Sequence, residues 1–304
     1  MHGRDPRELT NTQKHRALKY LMFLKEKRNR TIKGRGCADG RKQRIYKTKE
    51  ETSAPTIGIP ALFLSCLIDA VEGRNVLICD IPGAFMQGDI DESILLKLEG
   101  PIAQQLINID PTYKKYLTYE KGKKIIYTEL DKALYGTMQA ALIWWKRLSS
   151  YLIKKLGFTT NPYDECVVNT SINGKQCTIG WYVDDIKILH VDNEVVEQIY
   201  QQLNNEYGKE APLTVSRGKK HQYLGMDIDY TVDGEVTFSM KDFSQEIVDK
   251  CPDSLLKGPS QTPAAQHLFQ TNKDGTKLPD REAKLYHRLT AKLLYLCHRA
   301  RPDL

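Results

Sequence analysis

Two aspartates stand side by side in the run Trp181-Tyr182-Val183-Asp184-Asp185-Ile186, inside an otherwise apolar, strand-forming segment. Adjacent carboxylates repel each other and contribute little to folding, so they need a cation or a solvated turn to be tolerated. Two readings stay open for the pair alone: a divalent-metal site, or a plain Asp-Asp hairpin turn, since Asp suits turns for local reasons. A third carboxylate, Asp80, lies near the end of the apolar run NVLICDI, residues 75–81. If that run is a core strand of an antiparallel sheet, its end can lie beside the hairpin and bring Asp80 to Asp184. Hard oxygen donors that leave part of the shell to water and phosphate suit Mg²⁺. Two such ions can lower the pKa of an attacking hydroxyl and stabilise a leaving pyrophosphate. Competing chemistries lack their signatures: the seven His show no zinc-finger or zincin spacing, and neither a G-x-x-x-x-G-K-[ST] loop nor a G-x-S-x-G elbow is present.

The elements that must position these carboxylates follow from periodicity and stop signals. Residues 58–73 read as a buried helix ended by Gly73, followed by the strand that carries Asp80. A short strand over 93–98 is closed by Gly100-Pro101. Ala141, Trp144, Trp145, Leu148, Leu152 and Leu156 recur at helical steps and predict a helix over 138–156, with both tryptophans expected in the core. Asn173-Gly174 and Asp184-Asp185 stand where hairpin turns are expected. Asp192 caps a helix whose Val195, Val196, Ile199 and Leu203 share one face. Strands over 213–217, 221–231 and 234–239, a helix from Lys241, an irregular stretch over 252–282 and a leucine-striped helix over 280–299 complete the chain. At the other end, residues 12–30 predict a basic amphipathic helix with Leu18, Leu21, Met22 and Leu24 as its stripe. Gly34, Gly36 and Asp39-Gly40 read as turns between short basic strands.

Charge divides along the chain. Residues 1–50 carry 16 basic and 5 acidic residues, 51–240 carry 18 and 25, and 241–304 carry 11 and 8, for a net +7 over 304 residues. Such a layout is either a solvated basic tail beside an ordinary domain or a polyanion-binding rim around an acidic, metal-seeking centre. The seven Cys form no C-x-x-C pair, and Cys66 and Cys79 sit in apolar runs, as reduced thiols of a cytosolic or nuclear protein would. The N-terminus lacks the apolar core of a signal peptide, and Ile57 to Val71, interrupted by Pro60, Ser65 and Asp69, falls short of a membrane span. The expectation is a protein that is neither secreted nor membrane-bound.

At this point the chain resembles a family, the reverse transcriptase domain of copia-type LTR retrotransposons. The resemblance rests on an ordered set: CDIPGAFMQGDI (79–90), LDKALYGTMQAALIWWKRL (130–148), LGFTTNPYDECVV (156–168), YVDD (182–185), YLGMDI (223–228) and LLYLCHRARPDL (293–304). It implies an α+β fold, the polymerase right hand. A basic N-terminal helix or extension over 1–30 would be followed by fingers and palm over 31–240 and a thumb-like region over 241–304, stopping about where ribonuclease H would begin. The implied activity is RNA-directed DNA polymerisation by a two-metal mechanism on an RNA or DNA template-primer with dNTPs, in the cytoplasm, in a virus-like particle or in the nucleus.

The same resemblance assigns roles residue by residue. Asp80 and Asp184 would be the principal ligands of two Mg²⁺ ions, with Mn²⁺ as a possible substitute. Asp185 and the Ile81 backbone would support them. Phe85 matches the aromatic position that lies under the sugar and obstructs a ribose 2′-hydroxyl. Lys33 and Arg35 match the basic segment that holds the triphosphate, with Lys42 or Arg44 as substitutes because KGRGCADGRKQ departs from the family's aliphatic pattern there. Tyr135, Gly136 and Gln139 are candidates beside the templating base and nucleotide. Tyr223, Leu224 and Gly225 fall where the family supports the primer end. Two other readings are a degenerate remnant that only binds nucleic acid, and another palm-type enzyme such as a nucleotide cyclase, which would not explain the LYG and RPD matches.

Overall fold

The computed structural model describes the chain except residues 27–29, 254–255, 257, 259–269 and 271–273. Its centre is a six-stranded antiparallel sheet in the order Thr214–Ser216, Asn75–Asp80, Asp185–His190, Lys175–Tyr182, Asp164–Ile172 and Thr159–Asn161. Asn75–Asp80 is an inner strand buried on both sides, Val76, Leu77, Ile78 and Cys79 being all buried. That is why it reads as an unbroken apolar run rather than an alternating one. The helices Ile59–Glu72, Ala140–Lys154 and Asn193–Tyr207 cover this sheet, and Leu62, Cys66, Trp144, Leu148, Ile199 and Leu203 join Leu77, Ile179 and Ile188 in one core.

Local signals start and stop these helices much as anticipated. Pro60 opens the first, where its missing N–H is harmless, and Gly73 ends it at φ 62°. Asp192 caps Asn193–Tyr207 by accepting from the Glu194 N–H. Inside the first helix Asp69 is buried, and its carboxylate pairs with the equally buried Lys187 ammonium of the central sheet, which also donates to Ser65 Oγ at 3.0 Å. The seven cysteines are all unpaired; burial pushes the Cys79, Cys166 and Cys177 thiols up to about 12, so they remain protonated and unreactive.

A second sheet holds His2–Arg4, Lys123–Glu129, Leu95–Glu99, Leu18–Glu26 and Ile32–Ala38 in that order, with Thr118–Glu120 beside Lys123–Glu129. It has its own core around Leu18, Leu96, Leu98, Ile126 and Leu130. A small third sheet is formed by Lys220–Tyr223, Met226–Asp229 and Thr237–Ser239. The α+β class expected from the sequence is the one the chain adopts.

Several local expectations are corrected. The helix predicted over 12–30 is only Asn11–Arg16, opened by a Thr10/Gln13 capping box; Leu18–Glu26 is a strand. Leu18, Leu21, Met22 and Leu24 fit helical steps, but Tyr20 and Phe23 between them are strand formers, and pairing with both Ile32–Ala38 and Leu95–Glu99 decides the outcome. Gly34 and Gly36 lie within a strand, not at turns. Residues 221–231 are two strands folded about Leu224-Gly225, at φ 50° and 80°, not one. The predicted irregular stretch over 252–282 falls largely outside the described residues. The final helix is Asp280–Cys297, but of its leucine stripe only Leu296 is buried. The helix Pro101–Ile109 and the strands His2–Arg4 and Lys123–Glu129 were not anticipated. No helix among the described residues is long and apolar enough to cross a membrane.

Candidate active site

Asp80 is the last residue of its strand, and the antiparallel register places it directly opposite Asp185. The hairpin that carries Asp184 and Asp185 pairs Tyr182 with Asp185, so its two turn residues are Val183 and Asp184. The expected Asp-Asp turn is therefore displaced by one: Asp185 already belongs to the strand, while Asp184 stands on the tip. Val183 sits at φ 59° and Asp184 does not share that positive φ, the pattern of a type II′ turn with a β-branched residue where glycine is normally found. By contrast the Asn173-Gly174 turn, at φ 53° and 70°, has the residues its shape asks for.

Three consecutive carbonyls of the tip are held by donors from three different elements. The Trp144 indole N–H donates to the Val183 carbonyl at 2.7 Å, the Ile81 N–H to the Asp184 carbonyl at 3.0 Å, and the Tyr223 hydroxyl to the Asp185 carbonyl at 3.2 Å. Trp144 and Tyr223 are both buried. Tyr223, expected at the primer, thus acts from beneath the hairpin, and only Leu224 and Gly225 reach its turn. The Tyr295 hydroxyl of the last helix donates to the Leu224 carbonyl at 3.0 Å.

The carboxylates feel one another. Burial, then Asp184 and Asp80, push Asp185 up to about 6. Asp80 is raised by burial and by Asp184, and drawn back by Lys33. Lys33 and Arg35 lie on the strand Ile32–Ala38 of the second sheet, and Lys33 is near enough to act on Asp80. Tyr135 lies between them: burial and Asp184 raise its phenol, while Arg35 lowers it. Phe85 stands on a short 3₁₀ turn, Ala84–Gln87, that follows Gly83 at φ 65°, and its ring packs on Tyr135 with centroids 4.8 Å apart. Asp80, Asp184 and Asp185 are thus neighbours, Lys33 is near enough to act on Asp80 and Arg35 on Tyr135, and Phe85 packs on Tyr135.

Other candidates are placed elsewhere. Gln139 is buried, donating to Glu92 and accepting from Gln43 at 3.0 Å, so it braces the 134–139 loop. Lys42 donates to the carbonyls of His15 and Ala17 at 2.6 and 3.3 Å and ties two segments of the second sheet's lobe together. Gly136, at φ 88°, lies so close to Ala38 that a Cβ would collide with its carbonyl, while the Ala38 N–H donates to the Tyr135 carbonyl at 2.7 Å. Its role is to let the strand of Lys33 and Arg35 close against the loop of Tyr135. Gln43, which sequence reasoning passed over, is buried and accepts from the Met138 N–H at 2.9 Å. A Gln inside a basic run carries no signal of that task.

The site's donors fit a hard divalent cation. They are oxygen only, and Asp80 and Asp185 are both raised first by burial and then by neighbouring negative charge, the second of which a cation would relieve. Among the described residues no group of three or more His, Cys, Asp or Glu is gathered closely enough to hold a metal ion by itself.

Residues 8–256 match the family described as reverse transcriptase (RNA-dependent DNA polymerase). The transposon Ty5-1 protein of Saccharomyces cerevisiae is 24% identical over 227 residues, covering 74% of this chain and 65% of its own length. The retrovirus-related Pol polyprotein from transposon RE2 of Arabidopsis thaliana is 24% identical over 272 residues, 90% of this chain but 17% of that polyprotein. The chain thus spans less than two thirds of these relatives. Among solved structures, a foamy viral protease-reverse transcriptase in complex with double-stranded DNA aligns over 93% of this chain and 44% of its own, at 14% identity and a TM-score of 0.45. The match over residues 8–256, with relatives that are retrotransposon proteins, makes the chain a member of the reverse transcriptase (RNA-dependent DNA polymerase) family, of the kind found in copia-type retrotransposons.

Proposed function

We propose that the chain is an RNA-directed DNA polymerase that adds dNTPs to a primer 3′-hydroxyl on an RNA or DNA template. The observation that carries this reading is the strand register that sets Asp80 opposite Asp185 and beside Asp184, with Lys33 acting on Asp80, Arg35 on Tyr135, and Phe85 packed on Tyr135. Asp80 and Asp184, supported by Asp185 and the Ile81 carbonyl, would hold two Mg²⁺ ions, or Mn²⁺ in their place. When bound, these ions lower the pKa of the primer hydroxyl and neutralise charge on the transferring phosphate. Lys33 supplies a point charge and Arg35 a guanidinium fork to the triphosphate oxygens, which separates them in role. Phe85, braced from one side by Tyr135, presents a ring edge where a ribose 2′-hydroxyl would have to fit. Leu224 and Gly225 support the primer end from the turn of the third sheet.

In this reading the central sheet and its helices are the palm and the second sheet is the fingers, together residues 31–240 with the N-terminal strands joined to them, and 241–304 is the thumb-like part. The basic excess at both ends holds template and primer through phosphates, so binding weakens steeply with salt. The test is primer extension on an RNA template with Mg²⁺ and dNTPs. Extension by the wild-type chain and its loss in Asp184→Asn support the reading; extension that persists in Asp184→Asn removes Asp184 from the chemistry.

A further inference from the structure

The tip of the carboxylate hairpin is held in a shape its own residues do not favour. A type II′ turn wants glycine at its first central position, and the β-branched Val183 there, at φ 59°, is strained. Such a conformation persists only where the surroundings over-determine it. A ready alternative exists: rotating the peptide between Val183 and Asp184 converts a II′ turn to I′ and moves the second residue to positive φ. Asp is among the few residues that tolerate that region, so Asp184 itself offers little resistance. The flip would swing the Val183 carbonyl away and turn the Asp184 N–H to the opposite side of the tip.

One group opposes this. The Val183 carbonyl accepts the Trp144 indole N–H at 2.7 Å, and Trp144 is 1% exposed, so its ring cannot follow a moving carbonyl. Its ring is itself fixed edge-on to Tyr207, centroids 5.2 Å apart, and Tyr207 in turn to Tyr151 at 5.4 Å. An indole has a single donor and no acceptor, so a flipped peptide leaves that buried N–H unpaired.

We propose that Trp144 is a positioning residue: its indole N–H holds the 183–184 peptide in its present orientation and so anchors the tip from which Asp184 reaches the divalent-cation site. This rests on the reading of the three carboxylates as a metal site. The bond from the Ile81 N–H to the Asp184 carbonyl lies beyond the rotating peptide, so it fixes the base of the tip and leaves the choice of turn to Trp144.

The test compares wild type, Trp144→Phe and a chain with 3-benzothienylalanine at 144, which keeps the bicyclic ring and lacks the N–H. Free Mn²⁺ is followed by electron paramagnetic resonance during titration, with Asp184→Asn as the reference for a damaged site, and primer extension is measured beside it. Both variants are expected to bind Mn²⁺ several-fold more weakly. They are also expected to lose about 10- to 100-fold in kcat, the scale of an ångström-sized misplacement, with KM for dNTP and Kd for primer-template unchanged. Should Trp144→Phe fail to fold, the benzothienyl chain alone decides. Wild-type Mn²⁺ affinity and kcat in the benzothienyl chain overturn the proposal, as does an equal loss of primer-template binding. A wild-type chain that binds Mn²⁺ but extends no primer refutes the polymerase reading while leaving the role of Trp144 to be judged on the Mn²⁺ titration.

Discussion

Replacing Asp185 by Asn should stabilise the metal-free protein while removing a supporting carboxylate from the site. In the folded chain burial and the neighbouring Asp184 and Asp80 raise Asp185 from 3.8 to about 6. At about 1.4 kcal/mol per unit, holding it ionised in the fold costs on the order of 3 kcal/mol. Water reaches this half-buried group, and screening brings the figure to about 1–2 kcal/mol. The sign follows from proton counting: between 3.8 and about 6 the folded state holds a proton that the unfolded state has lost, so stability falls as pH rises through that window. Asn carries no such cost. The variant should therefore melt a few degrees higher at pH 7.5, at about 2 °C per kcal/mol for a chain of this size, and the advantage should vanish by about pH 3, below the usual Asp value. Differential scanning calorimetry of both chains in EDTA, at several pH values, reads this directly. Adding Mg²⁺ should narrow the gap at pH 7.5, because binding stabilises the intact site more than the variant. An Asp185→Asn chain that melts no higher than wild type at pH 7.5, or that keeps its full lead at pH 3, refutes the electrostatic account of the site.

Three other substitutions probe separate parts of the fold and site. Lys187→Met leaves the Asp69 carboxylate buried without its ammonium partner, and urea unfolding should show a loss of about 3–5 kcal/mol; a loss under 1 kcal/mol would mean the pair is not closed in solution. Gly136→Ala forces a Cβ into the Ala38 carbonyl at φ 88° and should destabilise by on the order of 2 kcal/mol or more, with dNTP KM rising as the strand of Lys33 and Arg35 is pushed off; a neutral result would remove the seam from the argument. Phe85→Ala should raise ribonucleotide incorporation in primer extension, whereas an unchanged deoxy/ribo preference would take Phe85 out of sugar selection.

The features legible in the sequence are those whose physics is local or whose pattern is strong. Gly73 and Asp192 end and begin helices through their own backbone and side chain, and the buried run 75–80 needs no partner to be recognised as core. Where two patterns agree with one string of residues, the neighbours decide: Leu18–Glu26 satisfies a helical stripe, yet two strands flank it and pair with it. The roles of Gln43, Gln139 and Gly136 were hidden for a related reason, since each is defined by an atom far along the chain, such as the Met138 N–H for Gln43. Uncharged side chains and glycine carry no pattern that announces a distant partner.

The same contrast separates the carboxylates from what aims them. Asp80, Asp184 and Asp185 could be picked out because charge inside an apolar strand is costly and so demands a reason. The groups that fix their direction carry no such mark. Trp144 reads as one more apolar step of a helix, and Tyr223 as one more strand residue, although each spends its only donor on a carbonyl of the hairpin. Even the identity of the turn was misjudged by one position, because Asp-Asp suits a turn locally whereas the register with Asn75–Asp80 and Lys175–Tyr182 places Val183 there instead. Strain at Val183 and bonds to three successive carbonyls are consequences of one arrangement. The tip is held from outside by the helix, the strand and the third sheet, so its geometry is set by the fold and not by the four residues Tyr182 to Asp185 that form it.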